Sequence, residues 1–114
     1  MTGPADTGPA DLVTLTLPPG GKADPLADQI LRAADPRIRL HRRAVRARNG
    51  RPVLMAMQAA RRGTYLFHDL RPDDLADVLA TVRAYLAAPQ GWIGDARPCG
   101  RLRFCLLYRV PFPA

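Results

Sequence analysis

The chain has 114 residues, which is the length of a single domain and enough to bury a modest core without metals or disulfides. Sixteen arginines and one lysine stand against ten aspartates, with no glutamate and no serine, so the formal net charge is +7. This composition excludes a serine triad and a pair of catalytic glutamates, and the spacing of Cys99 and Cys105 is typical of neither a metal site nor a disulfide framework.

Nothing in the sequence indicates export or membrane insertion. No apolar run reaches about 18 residues, and the N-terminus lacks the basic-then-apolar pattern of a secretory leader. We therefore expect no membrane span and no signal peptide. With only two cysteines, we expect a cytoplasmic protein whose thiols are reduced.

Residues 1–11 consist of Met1 followed by two copies of Thr-Gly-Pro-Ala-Asp. A segment of small residues without large apolar side chains cannot offset the entropy lost on ordering. We predict a disordered tail over residues 1–11 and a single folded domain over residues 12–114.

The first folded elements are predicted to be a strand and a helix. Residues 12–17 show the alternation of apolar and polar side chains that is typical of a strand, and a Pro/Gly-rich turn ends it. Asp24 then supplies an N-cap residue and Pro25 suits the first helical position, so a helix is expected from there to Asp35.

Asn49-Gly50 is a strong signal for a two-residue β-hairpin turn between residues 37–48 and 51–60. Such a turn fixes the register, so that the numbers of facing residues sum to 99. One face of this hairpin is then largely apolar. The other face carries Arg37, Arg39, His41 and Arg43, which lie opposite Arg62, Ala60, Gln58 and Ala56 in that order.

A short strand and a second helix are predicted to follow. Residues 64–68 form the strand, and Pro72 opens a helix whose first turn is acidic, as the helix dipole favours. The apolar side chains of this helix recur at helical spacing: Leu75, Val78, Leu79, Val82 and Leu86. The loop after the helix holds Trp92 and Ile93, which either form an interaction loop or plug one end of the core.

The last predicted strand, residues 101–110, has one apolar and one basic face. The apolar face holds Leu102, Phe104, Leu106, Tyr108 and Val110. The basic face includes Arg101, Arg103 and Arg109. This alternation matches the hairpin, with apolar side chains toward the helices and arginines on the opposite side.

The predicted order of elements is β-α-β-β-β-α-β, which defines an α+β domain. We expect a mostly antiparallel sheet of four to five strands with two helices on one face. This arrangement resembles a split βαβ unit with one extra strand. The other face of the sheet is expected to be open and basic.

The sequence shows no catalytic partner for the residues that could act as an acid, a base or a nucleophile. His41 falls among the predicted surface arginines, and His68-Asp69 adjoins a helix start, where a structural hydrogen bond is the simpler interpretation. Cys105 has arginine neighbours that would lower a thiol pKa, but no base is positioned beside it. Gly20-Gly21-Lys22 lies between a strand and a helix but lacks the remaining residues of a P-loop. We therefore expect no enzyme, no cofactor and no metal site.

The cationic residues are concentrated in one region. No acidic residue lies between Asp35 and Asp69, and that interval holds nine of the arginines. A concentrated basic surface attracts polyanions, and the guanidinium fork matches phosphate. The sequence therefore predicts a non-enzymatic protein that binds a polyanion, nucleic acid first of all, with little sequence readout because the strand over residues 51–58 carries no stacking aromatics. The predicted binding residues are Arg37, Arg39, His41, Arg43, Arg62, Arg101, Arg103 and Arg109.

A protein-interaction module is the alternative function. Apolar side chains on both sides of the predicted sheet, among them Leu54 and Leu107, exceed what two helices need to cover. In this interpretation the chain forms a homo-oligomer, or its basic face docks an acidic protein.

Overall fold

A computed structural model describes residues 12–113, and the predicted tail over residues 1–11 lies outside the described residues. Within this range, seven regular elements follow one another along the chain. They are β1 (Val13–Leu17), α1 (Ala23–Ala33), β2 (Ile38–Arg42), β3 (Met55–Ala59), β4 (Thr64–Phe67), α2 (Leu75–Ala87) and β5 (Leu106–Val110). Short 3-10 segments, Pro72–Asp74, Pro89–Gly91 and Arg97–Phe104, flank α2 and lead into β5. The predicted order of elements and the α+β class are confirmed.

The strands form one sheet in the order β2-β1-β3-β4-β5. β1 and β2 are parallel, and α1 provides the crossover between them. The other neighbouring pairs are antiparallel. The prediction of a mostly antiparallel sheet is therefore confirmed.

The main core lies between this sheet and the two helices. β1 is at its centre because Val13, Leu15 and Leu17 are fully buried. α1 covers them with Leu26 and Ile30, which lie four residues apart on one face of the helix. The far side of the sheet carries a separate and smaller apolar cluster.

α2 turns a slightly different face to the core than its apolar pattern predicts. Its buried residues are Val78, Thr81, Val82 and Tyr85. The Tyr85 hydroxyl donates to the Gly63 carbonyl at 2.6 Å, and the Thr81 hydroxyl donates to the Asp77 carbonyl at 2.7 Å. Because both hydroxyls are satisfied, they can be buried at little cost. Leu79, at the centre of the predicted apolar stripe, is only half-buried.

The predicted pairing of residues 37–48 with 51–60 is wrong, because β1 lies between β2 and β3. Thr14 of β1 faces Arg39 on one side and Gln58 on the other. A strand whose apolar side chains are fully buried belongs in the middle of a sheet, where neighbours on both sides satisfy its backbone. Burial of β1 therefore outweighs the local turn signal.

Asn49-Gly50 instead closes a smaller hairpin over residues 45–53, here called the covering hairpin. The Ala47 amide donates to the Arg51 carbonyl at 3.1 Å, and the Val53 amide donates to the Val45 carbonyl at 3.3 Å. The numbers of facing residues thus sum to 98, one less than predicted.

The covering hairpin lies over part of the sheet face that the helices leave open. Its Ala47 and Val53 pack against Ala56 of β3 and Leu66 of β4, and all four are buried. The Arg48 amide donates to the Tyr108 hydroxyl of β5 at 2.8 Å, which fixes the tip of the hairpin. The prediction of a fully open sheet face is therefore wrong, because these apolar side chains need cover.

The predicted strand over residues 101–110 is also partly wrong. The 3-10 segment Arg97–Phe104 precedes β5, which begins only at Leu106. Two carboxylates near the start of α2 hold this segment in place: Asp77 accepts from the Arg101 amide at 3.0 Å, and Asp74 accepts from the Arg101 side chain at 2.7 Å. As a result Phe104, predicted to be in the core, is 72% exposed.

Candidate functional site

Five arginines and one histidine of β2 and the following loop are exposed, and together they are here called the basic surface. They are Arg39, His41, Arg43, Arg46, Arg48 and Arg51. Each is exposed, and no acidic residue interrupts the chain between Asp35 and Asp69. The basic surface therefore comes from one stretch of sequence on an edge strand and a hairpin.

The pleat of β2 aims two of these side chains away from the helices. Ile38 and Leu40 pack against the main core, so Arg39 and His41, which alternate with them, lie on the opposite face. There Arg39 faces Thr14 of β1. This half of the sheet face is polar and stays outside the apolar cluster beneath the covering hairpin.

The covering hairpin presents Arg46, Arg48 and Arg51, while Arg43 directly follows β2. Val45, Ala47 and Val53 pack inward, so the intervening Arg46 projects outward and its Nη1 donates to the Gly50 carbonyl at 3.2 Å. The Arg51 amide donates to Asn49 Oδ1 at 3.0 Å. These backbone and side-chain contacts order the loop while its guanidinium groups stay exposed to solvent.

Several arginines outside the basic surface form ion pairs with aspartates. Arg37 pairs with Asp35 at 2.6 Å, Arg97 with Asp95 at 2.9 Å, and Arg42 with Asp24. Hydrogen bonds from the Arg37 guanidinium lower the pKa of Asp35 to about 2. Among residues 12–113, none of the five arginines of the basic surface forms an ion pair. Its positive charge is therefore not compensated locally.

The structure brings together three of the predicted binding residues, Arg39, His41 and Arg43. Arg37 lies beside them but is held by Asp35 through its backbone amide and its guanidinium. Arg62 is directed toward α2 instead, and its Nη2 donates to the Leu86 carbonyl at 3.4 Å. The expected position of Arg62 is wrong because β2 and β3 are not neighbours.

The predicted residues from the last strand lie on the helix side of the sheet. Arg101 donates to Asp74 from Nε at 2.9 Å, beside the start of α2. Arg103 belongs to the 3-10 segment, with its guanidinium carbon 4.7 Å from the centre of the Phe104 ring. Arg109 faces the buried Tyr65 across the β4–β5 ladder and shares its side of the sheet. Their placement on the open face is wrong for two reasons. Arg101 and Arg103 precede β5, which starts later than predicted. Within β5, a bulge at Leu107, where Phe67 pairs with Leu106 and Leu66 with Tyr108, places Arg109 on the helix side.

The loop residues Trp92 and Ile93 have different positions. Ile93 is buried and belongs to the main core, as expected for a residue that plugs its end. Trp92 is exposed, and its ring centre lies 3.8 Å from the guanidinium carbon of Arg109. The two residues therefore do not form one interaction loop.

Sequence reasoning missed Arg46, Arg48 and Arg51 as site residues. Their signal was present, because they flank the Asn49-Gly50 turn and alternate with small apolar residues. Next to Arg51 is a cleft of about 400 Å³ at the carboxyl end of β1. Lys22, Arg51 and His68 line this cleft, together with the Asp69 carboxylate. One residue of the basic surface, Arg51, therefore borders a concave region that also contains an acidic residue.

The Cys105 thiol is not activated as a nucleophile. Cys99 and Cys105 are both buried and unbridged. Burial raises the pKa of the Cys105 thiol, and this effect exceeds the opposing charge of Arg101. The described part of the chain contains no group of three His, Cys, Asp or Glu side chains that could hold a metal ion.

Comparisons with known proteins place the chain in one family. Residues 27–112 match the family described as "Protein of unknown function (DUF1636)", and the chain belongs to this family. The matched region runs from α1 through β5 and includes the whole basic surface. No curated protein and no solved structure matches the chain. No helix among residues 12–113 is long and apolar enough to cross a membrane.

Proposed function

We propose that this protein binds a polyanion, nucleic acid first of all, through the basic surface. The observation that carries the proposal is that the five arginines of this surface are exposed and unpaired among the described residues, whereas Arg37, Arg42, Arg97 and Arg101 each have a carboxylate partner. An uncompensated cluster of guanidinium groups matches phosphate groups in both charge and geometry.

The mode of binding follows from the side chains available. The large apolar side chains that are exposed among residues 12–113 are Leu31, Trp92, Phe104, Val110 and Phe112, and none of them belongs to the basic surface. Without an aromatic platform, bases cannot stack on it. We infer that it contacts the phosphate backbone and reads little sequence.

The proposal is for a binding protein and not an enzyme. His41 lies among arginines on the basic surface, and within residues 12–113 no side-chain hydrogen bond positions it as an acid or base. A cytoplasmic location is part of the proposal, and the two unbridged cysteines fit a reducing compartment.

A fluorescence anisotropy titration with a labelled oligonucleotide at several salt concentrations tests this function. Each phosphate contact adds about 0.7 to 0.9 to the slope of log affinity against log salt. Replacing Arg39 and Arg48 by alanine should lower that slope by up to about two units and weaken binding to all sequences alike.

The matched control is the double variant R32A/R83A. It removes the same number of charges from exposed positions on α1 and α2, on the helix side of the molecule. We expect it to bind within about twofold of the wild-type protein, since long-range charge is screened by salt. Absence of binding at low salt, or equal losses in both double variants, would refute the proposed surface.

An acidic protein partner is the second candidate. β2 is an edge strand, so its outer backbone groups are available to another chain, and the basic surface would attract an acidic one. Binding of poly-glutamate, measured beside binding of oligonucleotides, distinguishes the two functions. If poly-glutamate binds through Arg39 and Arg48 while oligonucleotides do not bind, this second function replaces the first.

A further inference from the structure

A partly open pocket lies on the helix side of the sheet, on the opposite face from the basic surface. Its volume is about 190 Å³, and β4, β5, α2 and the 3-10 segment Arg97–Phe104 all contribute to its walls. Most of the lining is apolar: Phe67, Ile93, Ala96, Cys99, Leu102 and Leu106. An apolar cavity of roughly 150 Å³ can hold a benzene-sized molecule, so this pocket has room for a single small ligand.

One polar residue that lines the pocket is Arg109, whose half-buried side chain is held by several contacts. Its Nη1 donates to the Ile93 carbonyl at 2.8 Å and to the Tyr65 hydroxyl at 3.1 Å. The Trp92 ring packs on the guanidinium, with its centre 3.8 Å from the guanidinium carbon. The Tyr65 hydroxyl is itself fixed, because it donates to Gly91 and accepts from the Ile93 amide.

These contacts leave part of the guanidinium fork without a protein acceptor. Both hydrogen bonds of Arg109 use Nη1, and no acceptor for Nε or Nη2 occurs among the described residues. A guanidinium carries five N–H donors and pairs best with a carboxylate in a bidentate geometry. Arg109 therefore presents an oriented, unused donor pair.

A second cation lines the same pocket. Arg103 is exposed and forms no ion pair within the described part of the chain, and the pocket lining includes no Asp or Glu side chain. Asp95, the acid next to the pocket loop, is already paired with Arg97 at 2.9 Å. The pocket thus combines an apolar interior with two arginines that form no ion pair among residues 12–113.

We propose that this pocket binds a small monocarboxylate with an apolar body of about the size of benzoate. The carboxylate accepts from Nε and Nη2 of Arg109, and Arg103 adds a second positive charge. The apolar body occupies the space lined by Phe67, Ile93 and Leu102. This ligand class goes beyond polyanion binding, because a pocket of about 190 Å³ is too small to hold a phosphodiester chain.

Trp92 provides the measurement. It is the only tryptophan of the chain, and it lies against Arg109, so ligand binding should change its fluorescence. We expect a saturable change on titration with benzoate, excited at the red edge of the indole absorption where benzoate does not absorb. A ligand of about nine non-hydrogen atoms should reach half-saturation near or below a millimolar concentration. Benzyl alcohol, similar in size but uncharged, should bind at least about tenfold more weakly, because it cannot form the charged hydrogen bonds.

Variants distinguish benzoate binding in the pocket from a general effect of net charge on binding. Arg109→Gln should weaken benzoate binding by about tenfold or more, and Arg103→Gln should weaken it by a smaller factor. Because Arg103 is exposed, its variant is expected to fold even if Arg109→Gln does not. Arg32→Gln, which removes one charge from the exposed side of α1, is the matched control and should leave binding unchanged.

Three results would overturn the proposal. They are no saturable response of the wild-type protein to benzoate, equal affinity for benzoate and benzyl alcohol, and a loss in Arg32→Gln equal to that in Arg103→Gln. None of them bears on the basic surface, since R39A/R48A leaves every residue that lines the pocket in place.

Discussion

Arg101 and Asp74 form a two-pronged ion pair that ties the segment before β5 to the start of α2. Nε of Arg101 donates to one carboxylate oxygen at 2.9 Å and Nη2 donates to the other at 2.7 Å. The Asp74 side chain is only 6% exposed, while that of Arg101 is 30% exposed. Asp74 also accepts from the Arg71 amide at 2.7 Å, so its charge is satisfied from two directions.

The first prediction concerns this pair. Arg101→Ala leaves the buried Asp74 carboxylate without its main partner, and loss of one member of a buried pair costs about 3–5 kcal/mol. Since Arg101 is partly exposed, we expect a decrease of about 2–3 kcal/mol in the free energy of unfolding, measured by urea denaturation.

Arg97→Ala is the control for this experiment. Arg97 also forms a close ion pair, with Asp95, but both side chains are largely exposed. Exposed pairs contribute little to stability. If the two variants lose equal stability, burial of Asp74 is not what makes its ion pair important.

The second prediction is loss of stability in acid. Hydrogen bonds from Arg101 lower the pKa of Asp74, and hydrogen bonds from Arg37 lower that of Asp35 to about 2. A carboxyl whose pKa is lower in the folded state stabilises the protein above its unfolded value near 3.8, and this contribution disappears as the pH falls toward the folded value. Stability should therefore be constant from about pH 7 to 5 and decrease from about pH 4 to 2.

Thermal unfolding at a series of pH values measures this effect. Asp35→Asn should be less stable than the wild type at neutral pH, and the difference should shrink as the pH approaches 2, where the wild-type ion pair is also lost. A difference that stays constant between pH 7 and 2 would contradict the assigned role of this carboxylate.

The order of elements could be predicted because it depends on local patterns. Pro18 to Gly21, Pro72 and Pro89 mark element ends, and the apolar spacing of α2 distinguishes a helix from a strand. The partners of each strand depend on long-range burial. Asn49-Gly50 correctly indicated a turn, but a turn signal does not determine how far the segments before and after it stay paired. In the structure β1 lies between β2 and β3, so these two strands do not pair with each other.

The candidate site was predictable in part for the same reason. The excess of arginine between Asp35 and Asp69 is visible in the sequence, and the pleat of β2 aims Arg39 and His41 as expected. Arg101 and Arg103 were misplaced because alternation over residues 101–104 fits a strand equally well, and Arg109 because the alternating pattern does not reveal the bulge at Leu107. The Asp74 and Asp77 carboxylates, which are distant in the sequence, accept hydrogen bonds from Arg101 and hold the segment before β5 in the 3-10 conformation.

The third prediction tests this correction with two residues that the alternating pattern placed on one apolar face. Leu102 is fully buried, whereas Phe104 is 72% exposed. Leu102→Ala should lower the free energy of unfolding by about 2–5 kcal/mol, because it removes buried apolar area and leaves a cavity. Phe104→Ala should change it by less than about 0.5 kcal/mol, as at ordinary surface sites. Urea denaturation of both variants in the same buffer gives the comparison. Similar large losses would show that residues 101–110 form the continuous strand and that the 3-10 segment is wrong.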